Sequence, residues 1–143
     1  MKIYTIGYEA TTMAEFLAAL KGAGVERLID VRALPLSRRP GFSKNILAAT
    51  LGEAGIEYVH LKNLGTPKPG RDAAKKGDVA TLEAVYETQL GLPEAQAEAA
   101  RMRALAAEKP SALLCYERNP EHCHRTLLLE AEGEGAQVID LYP

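Results

Sequence analysis

Short apolar runs alternate with amphipathic stretches along most of the chain. The apolar runs are KIYTI at 2–6, ERLIDV at 26–31, IEYVHL at 56–61, SALLCY at 111–116 and AQVIDL at 136–141. The continuous apolar character of ERLIDV is typical of a strand that is buried on both faces of a sheet. The pattern therefore predicts a sheet of about five strands.

The stretches between these runs carry helix signals. Helices are predicted over 11–23, from Ser43 to about Ala54, over 79–90, over 93–108, and from Asn119-Pro120 to about Glu132. Thr12 and Glu15 have the spacing of a capping box, which indicates the start of the first helix. In the second helix, Ile46, Leu47 and Leu51 are expected to face inward.

One segment departs from the alternation. Residues 63–78 are rich in Gly, Pro and Lys and are predicted to form a long loop, which at this length is usually functional or mobile.

Elsewhere strands alternate with helices. This pattern predicts an α/β fold with a mainly parallel sheet and helices on both faces. A length of 143 residues suits a single domain, residues 1–143.

Composition narrows the class of protein. The chain is 47% hydrophobic and 25% charged, as in ordinary globular proteins. No apolar run is long enough to span a membrane, and the N-terminal MKIYTIGYEA lacks the features of a signal peptide. We therefore expect a cytoplasmic protein without a membrane partner. Its two cysteines are too few for a disulfide framework and are expected to remain thiols. The sequence does not indicate an oligomeric state.

The charge is unevenly distributed. A net charge of −2 argues against general adhesion to nucleic acid. Residues 32–45, however, contain Arg32, Arg38, Arg39 and Lys44 and no acidic residue. This basic segment is compatible with a local site for an anion and equally with a solvated loop.

The ends of the predicted strands bring the reactive residues together, since ligands of a parallel sheet bind beyond the carboxyl ends of its strands. The candidate catalytic residues at this edge are Asp30, Cys115, Glu117, Cys123 and His124. The candidate substrate-binding residues are Tyr8, Arg32, Ser37, Arg38, Arg39, Lys44 and Arg125.

Several of these residues have more than one interpretation. Cys115 is either a nucleophile, activated by a helix N-terminus or a nearby cation, or a small buried apolar residue. His124 either activates a thiol, with Glu117 orienting it, or is a packed histidine. Arg125 either binds an anion at a helix N-terminus or pairs with Asp30.

A metal site is a further possibility. Cys115, His122, Cys123 and His124 offer thiolate and imidazole ligands. Their spacing matches neither a zinc finger nor a ribbon, and two adjacent ligands at 123 and 124 are an awkward arrangement. We therefore predict neither a metal nor another cofactor. His60 is interpreted as a strand-end residue with ordinary hydrogen bonds.

Four ordered motifs resemble those of a known family. They are TIGYE at 5–9, LIDVRALPLSRRPGFSK at 28–44, GIEYVHLKNLG at 55–65 and LLCYERNPEHCHR at 113–125. Together they resemble the domain-of-unknown-function family numbered 488, with Tyr8 and Glu9 standing where His and Ser are usual. The resemblance implies an α/β fold and no established reaction. By motif matching it nominates Asp30, Arg32, Pro35, Ser37, Cys115, Glu117, Cys123, His124 and Arg125.

Two functional hypotheses follow from the sequence. In the first, a Cys/His/Arg site of catalytic type acts on an anionic ligand, which is phosphate-bearing, a nucleotide or a nucleic acid. In the second, the protein is a non-enzymatic module that binds nucleic acid or an acidic partner, and its Cys/His cluster is structural. The sequence leaves open whether the protein is an enzyme.

Overall fold

The computed structural model describes residues 1–133 and 135–143 and contains one parallel sheet with helices on both faces. The strands are β1 (Lys2–Gly7), β2 (Arg27–Asp30), β3 (Glu57–His60), β4 (Ser111–Cys115) and β5 (Gln137–Leu141). The helices are α1 (Met13–Gly22), α2 (Lys44–Glu53), α3 (Lys68–Lys76), α4 (Val79–Leu90), α5 (Pro93–Glu108) and α6 (His124–Glu132). The predicted α/β fold with about five parallel strands is confirmed.

The strand order places β4 at the centre of the sheet. The order is β3-β2-β4-β1-β5, and every neighbouring pair is parallel. Gly7 at the end of β1 is in register with Cys115, and Asp30 at the end of β2 is in register with Leu114. The carboxyl ends of three adjacent strands therefore lie at one level, and the segments that follow them meet.

The core consists of two layers, one on each face of the sheet. Phe16 of α1 and Leu51 of α2 belong to one cluster, and Met102 of α5 belongs to the other. Leu28 and Ile29 are adjacent in β2 and lie in opposite clusters, as the alternation of side chains along a strand requires. The central strands β2 and β4 are buried along their whole length because helices cover both of their faces.

The predicted loop over 63–78 is wrong, because most of it is helical. A short 3₁₀ turn covers Lys62–Leu64, and α3 follows it. Pro69 lies in the first turn of α3, where proline is tolerated, and Gly77 ends the helix with a left-handed backbone (φ 72°). The buried Ala73 and Ala74 pack against Leu82. The sequence did not indicate this helix, because its buried residues are small and do not form a stripe of large apolar side chains. It also contains Gly and Pro.

The helix starts follow the predicted signals only in part. The capping box of Thr12 and Glu15 is present at the start of α1. Ser43 occupies the N-cap position of α2, but its hydroxyl accepts from the Ser37 amide at 3.0 Å instead of capping the helix. Ile46 is 59% exposed, so its predicted inward orientation is wrong.

Asn119 caps a short 3₁₀ turn, and α6 begins later than predicted. The side chain of Asn119 accepts from the Glu121 amide at 3.0 Å, and the turn covers Pro120–His122. Cys123 is the N-cap of α6. Among the described residues, no helix combines the length and apolar character needed to cross a bilayer.

Candidate functional site

A cleft of about 800 Å³ opens where β1, β2 and β4 end. Three of the candidate catalytic residues line it, namely Cys115, Glu117 and His124. Five of the candidate binding residues line it as well, namely Tyr8, Arg32, Ser37, Arg38 and Arg39. Residues far apart in the chain share this cleft because the strand ends lie at one level.

The sulfur of Cys115 lies between a carboxyl group and an imidazole. Cys115 Sγ is 3.1 Å from Glu117 Oε2 and 3.5 Å from His124 Nδ1. His124 Nε2 lies 2.8 Å from the Val31 carbonyl, which can only accept a hydrogen bond. We therefore assign the imidazole proton to Nε2, and the lone pair of Nδ1 then points toward the sulfur.

Burial shifts the pKa values of His124 and Glu117, the two groups beside Cys115, in opposite directions. Burial lowers the pKa of His124 to about 4, which keeps its imidazole neutral near pH 7. Burial raises the pKa of Glu117 above its ordinary value. A neutral imidazole can accept a proton, and a carboxyl group with a raised pKa can retain one to donate.

Cys115 and Cys123 are paired as a disulfide, so the expectation that both remain thiols is wrong for this structure. The two cysteines are 8 positions apart in the chain. The segment between them turns back through the 3₁₀ turn, which brings the start of α6 to the end of β4. Cys123 Sγ also accepts from the Arg125 amide at 3.5 Å, as an N-cap does.

Arg125 holds the segment that follows β4. Its side chain is fully buried, and Nη1 donates to the Glu117 carbonyl at 2.6 Å while Nη2 donates to the Arg118 carbonyl at 3.2 Å. Arg125 is therefore placed behind the cleft, and neither of the roles foreseen for it, anion ligand or partner of Asp30, corresponds to these contacts.

Asp30 is also placed behind the cleft, where it fixes Arg32. Asp30 is fully buried, and its carboxylate accepts from Arg32 Nε at 2.9 Å and Nη2 at 2.8 Å, as well as from the Tyr58 hydroxyl. Burial opposes the charge of Arg32, but the hydrogen bonds and the charge of Asp30 outweigh it and raise the pKa of Arg32. Arg32 Nη1 donates to the Phe42 carbonyl at 2.8 Å and so holds the basic segment.

The rim of the cleft is mainly cationic. Arg38 is exposed there, and Arg39 donates to the Thr11 carbonyl. Arg71 and Lys75, which were not predicted from the sequence, also line the cleft. Their spacing of four residues was the available signal, because it places both on one face of a helix. Because residues 63–78 were predicted to form a loop, this spacing was not interpreted as one face of a helix.

The remaining two binding candidates, Lys44 and Tyr8, differ in their relation to the cleft. Lys44 is exposed at the start of α2, outside the lining formed by the described residues. Tyr8 stacks on Phe42 with ring centroids 4.7 Å apart. His60 makes the ordinary hydrogen bond expected of it, from Nε2 to the Arg32 carbonyl at 2.8 Å.

The cluster at the base of the cleft also has the composition of a metal site. One ligand atom from each of Cys115, Cys123 and His124 lies within 4.8 Å of the others, and all three residues are buried. The side chain of His122, a fourth candidate from the sequence, lies outside what the structure describes.

Comparison with known proteins identifies a family for this chain but no individual relative. The family described as "Domain of unknown function DUF488" matches residues 12–131. No curated protein and no solved structure matches the chain. The match extends from the start of α1 into α6 and includes the DVR segment and both cysteines. On this evidence the chain belongs to the DUF488 family.

Proposed function

We propose that the cleft is the active site of a cysteine-dependent enzyme that acts on a small anionic molecule, with phosphate-bearing compounds as the favoured class. The observation that carries the proposal is the position of Cys115 Sγ, 3.5 Å from His124 Nδ1 and 3.1 Å from Glu117 Oε2, at the base of a cleft with a cationic rim. A nucleophile within reach of a base is the arrangement that covalent catalysis requires.

Each group at the base of the cleft has a role in the reduced protein. His124 Nδ1 accepts the proton of the Cys115 thiol while the sulfur attacks the electrophilic atom of the ligand, because the low pKa of the buried imidazole disfavours a free thiolate–imidazolium pair before the attack. Glu117 supports departure of the leaving group, because its raised pKa lets it carry the proton that this group takes up. A water molecule then cleaves the bond between Sγ and the transferred group and gives a proton to the Glu117 carboxylate, and Cys115 recovers its proton from His124. Asp30 and Arg125 act as positioning residues through Arg32 and the segment after β4.

The charge of the cleft favours an anionic ligand. The basic residues Arg38, Arg39, Arg71 and Lys75 line the cleft and outnumber its two acidic residues, Glu9 and Glu117. Arg32 adds its positive charge, although its donors are already bound to Asp30, Phe42 and Tyr8. A cleft of about 800 Å³ suits a ligand of nucleotide size.

Paired alkylating reagents test the proposal on reduced, metal-free protein. Iodoacetate is anionic and iodoacetamide is neutral, so a cationic cleft around Cys115 should raise the rate ratio of the two above that of free cysteine. Inorganic phosphate should slow both reactions. The double variant Arg38→Gln/Arg71→Gln should lose the preference, while Arg101→Gln, which changes an exposed residue of α5, should keep it.

An assay of turnover distinguishes an enzyme from a binding module. Reduced protein should hydrolyse a reactive aryl phosphate, and Cys115→Ser should abolish this activity without changing the free energy of unfolding of the reduced protein. A rate ratio equal to that of free cysteine, with no protection by phosphate, would refute the anionic site. Phosphate binding without turnover of any phosphate ester would support the non-enzymatic alternative instead.

A further inference from the structure

We infer that the reduced protein binds one soft divalent ion of the zinc class through Cys115 Sγ, Cys123 Sγ and His124 Nδ1. These three atoms lie within 4.8 Å of one another, and the residues are 3%, 1% and 5% exposed. Two thiolates and one imidazole form a ligand set that prefers zinc to magnesium or calcium. The inference does not depend on the proposed function, because metal binding is measured directly.

The orientation of His124 supports metal binding. Its Nε2 is held by the Val31 carbonyl at 2.8 Å, which leaves Nδ1 facing the two sulfur atoms at 3.5 Å and 3.9 Å. A backbone carbonyl that fixes one ring nitrogen while the other faces a metal is the usual outer shell of a metal-bound histidine.

The adjacency of Cys123 and His124, which argued against a metal from the sequence, is resolved by the backbone. Cys123 has an extended conformation (φ −130°, ψ 144°), and His124 is the first residue of α6. The change from extended to helical backbone lets two consecutive side chains converge on one point. Their ligand atoms are 3.9 Å apart. Two ligands bound tetrahedrally at zinc–ligand distances are about 3.5–3.8 Å apart.

The backbone also allows the two sulfur atoms to separate. The Cα atoms of Cys115 and Cys123 are 7.0 Å apart. Disulfides usually have Cα separations of about 4.4–6.8 Å, so the backbone of this pair is already slightly farther apart than usual. Moving the sulfurs to either side of an ion therefore requires rotation of the side chains and little movement of the backbone.

Three protein ligands leave one position of a tetrahedral ion for another group. Cys115 and His124 both line the cleft, so this position faces the cleft. Catalytic zinc sites have three protein ligands and one exchangeable position, whereas structural sites have four protein ligands. The site is therefore of the exchangeable type, open to water or to an anion held by the cationic rim.

The disulfide and the metal-bound cluster are alternative states of one cysteine pair. A dithiol reduces the Cys115–Cys123 bond by thiol–disulfide exchange, gains a disulfide of its own and leaves two protein thiols. The ion then displaces one proton from each thiol and binds the neutral imidazole of His124. While the ion is bound, Cys115 is a ligand and is not free to be alkylated or to attack.

Cobalt(II) provides a direct test, because thiolate-to-cobalt charge transfer is visible by absorption. Protein that has been reduced with a dithiol and freed of metal with a chelator is titrated with Co²⁺. We expect the charge-transfer band to saturate at one equivalent and Zn²⁺ to displace it. Cys115→Ser, Cys123→Ser and His124→Gln should each lose or strongly weaken the band. The control His60→Gln changes another imidazole bonded to a backbone carbonyl and should retain it.

A second measurement requires no variant. Zn²⁺ should raise the melting temperature of the reduced wild-type protein and leave that of the oxidised protein unchanged, because the disulfide occupies both sulfurs. Absence of the cobalt band in folded, reduced protein, or a band that survives Cys123→Ser, would overturn the inference. Metal binding combined with no preference for iodoacetate in metal-free protein would leave the metal site standing and refute the proposed function alone.

Discussion

Asp30 is the residue on which the basic side of the cleft depends. It is fully buried, and its carboxylate accepts two hydrogen bonds from the side chain of Arg32. Arg32 is itself 6% exposed and holds the Phe42 carbonyl. A buried ion pair adds little net stability, but the loss of one partner leaves a buried charge without compensation.

Asp30→Asn is therefore expected to lower the free energy of unfolding by about 3–5 kcal/mol, because it leaves the charge of Arg32 unpaired while preserving the shape of the side chain. Urea unfolding near pH 7 measures the effect. Asp72→Asn is the matched control, since Asp72 belongs to an exposed pair with Lys68 on α3 and its loss should cause no measurable change. Equal midpoints for both variants would show that Asp30 does not secure Arg32.

At the scale of elements, the site depends on contact between the end of β1 and the segment that follows β4. A Cβ atom on Gly7 would overlap the Glu117 carbonyl and would lie 2.9 Å from Arg125 Nη1. The missing side chain of Gly7 is therefore what allows this segment to lie against β1. Arg125 then fixes the segment from the other side through the carbonyls of Glu117 and Arg118.

Gly7→Ala should destabilise the protein by about 1–3 kcal/mol, as overpacking does, and should displace Glu117 from Cys115. Thermal or urea unfolding measures the stability, and the rate of Cys115 alkylation in reduced, metal-free protein reports on the site. Gly22→Ala at the end of α1 is the control, because a Cβ there meets no atom within 4 Å. Alanine favours a helix over glycine by about 1 kcal/mol, so this control should be neutral or stabilising. A Gly7→Ala protein as stable and as reactive as wild type would contradict the close contact.

At the scale of the whole molecule, the disulfide joins the centre of the sheet to the start of its last helix. It closes a short loop, since Cys115 and Cys123 are 8 positions apart. Such a cross-link stabilises the folded state mainly by restricting the unfolded chain. The stability of the whole protein is therefore expected to respond to a change at the base of the cleft.

Reduction of the metal-free protein should lower the free energy of unfolding by about 2.5 kcal/mol, which is the loop-entropy value for 8 residues. Urea unfolding with and without a dithiol, in the presence of a chelator, measures the difference. Cys123→Ser should be insensitive to the dithiol. A wild-type protein with the same stability in both conditions would show that the cysteines are not paired in solution.

The sequence by itself determined most of the succession of strands and helices, the parallel sheet and the sheet edge at which the candidate residues gather. These features depend on local patterns, because apolar runs, capping boxes and glycine stops act within a few residues of one another. The capping box at Thr12 and the strand ending at Cys115 are examples. The α3 helix was not predicted, because its buried residues are small.

Only the tertiary structure decided how the charged and sulfur-bearing side chains are paired. Asp30 pairs with Arg32, two positions along the chain, and not with Arg125. Arg125 instead satisfies backbone carbonyls of a segment whose path the sequence does not specify. The contacts of Cys115 with Cys123 and His124 also depend on the path of this segment. These pairings join residues only 2 to 9 positions apart. Which of the nearby polar groups meet depends on how the turns between them pack against the neighbouring strands, and the local pattern of residues does not encode that packing.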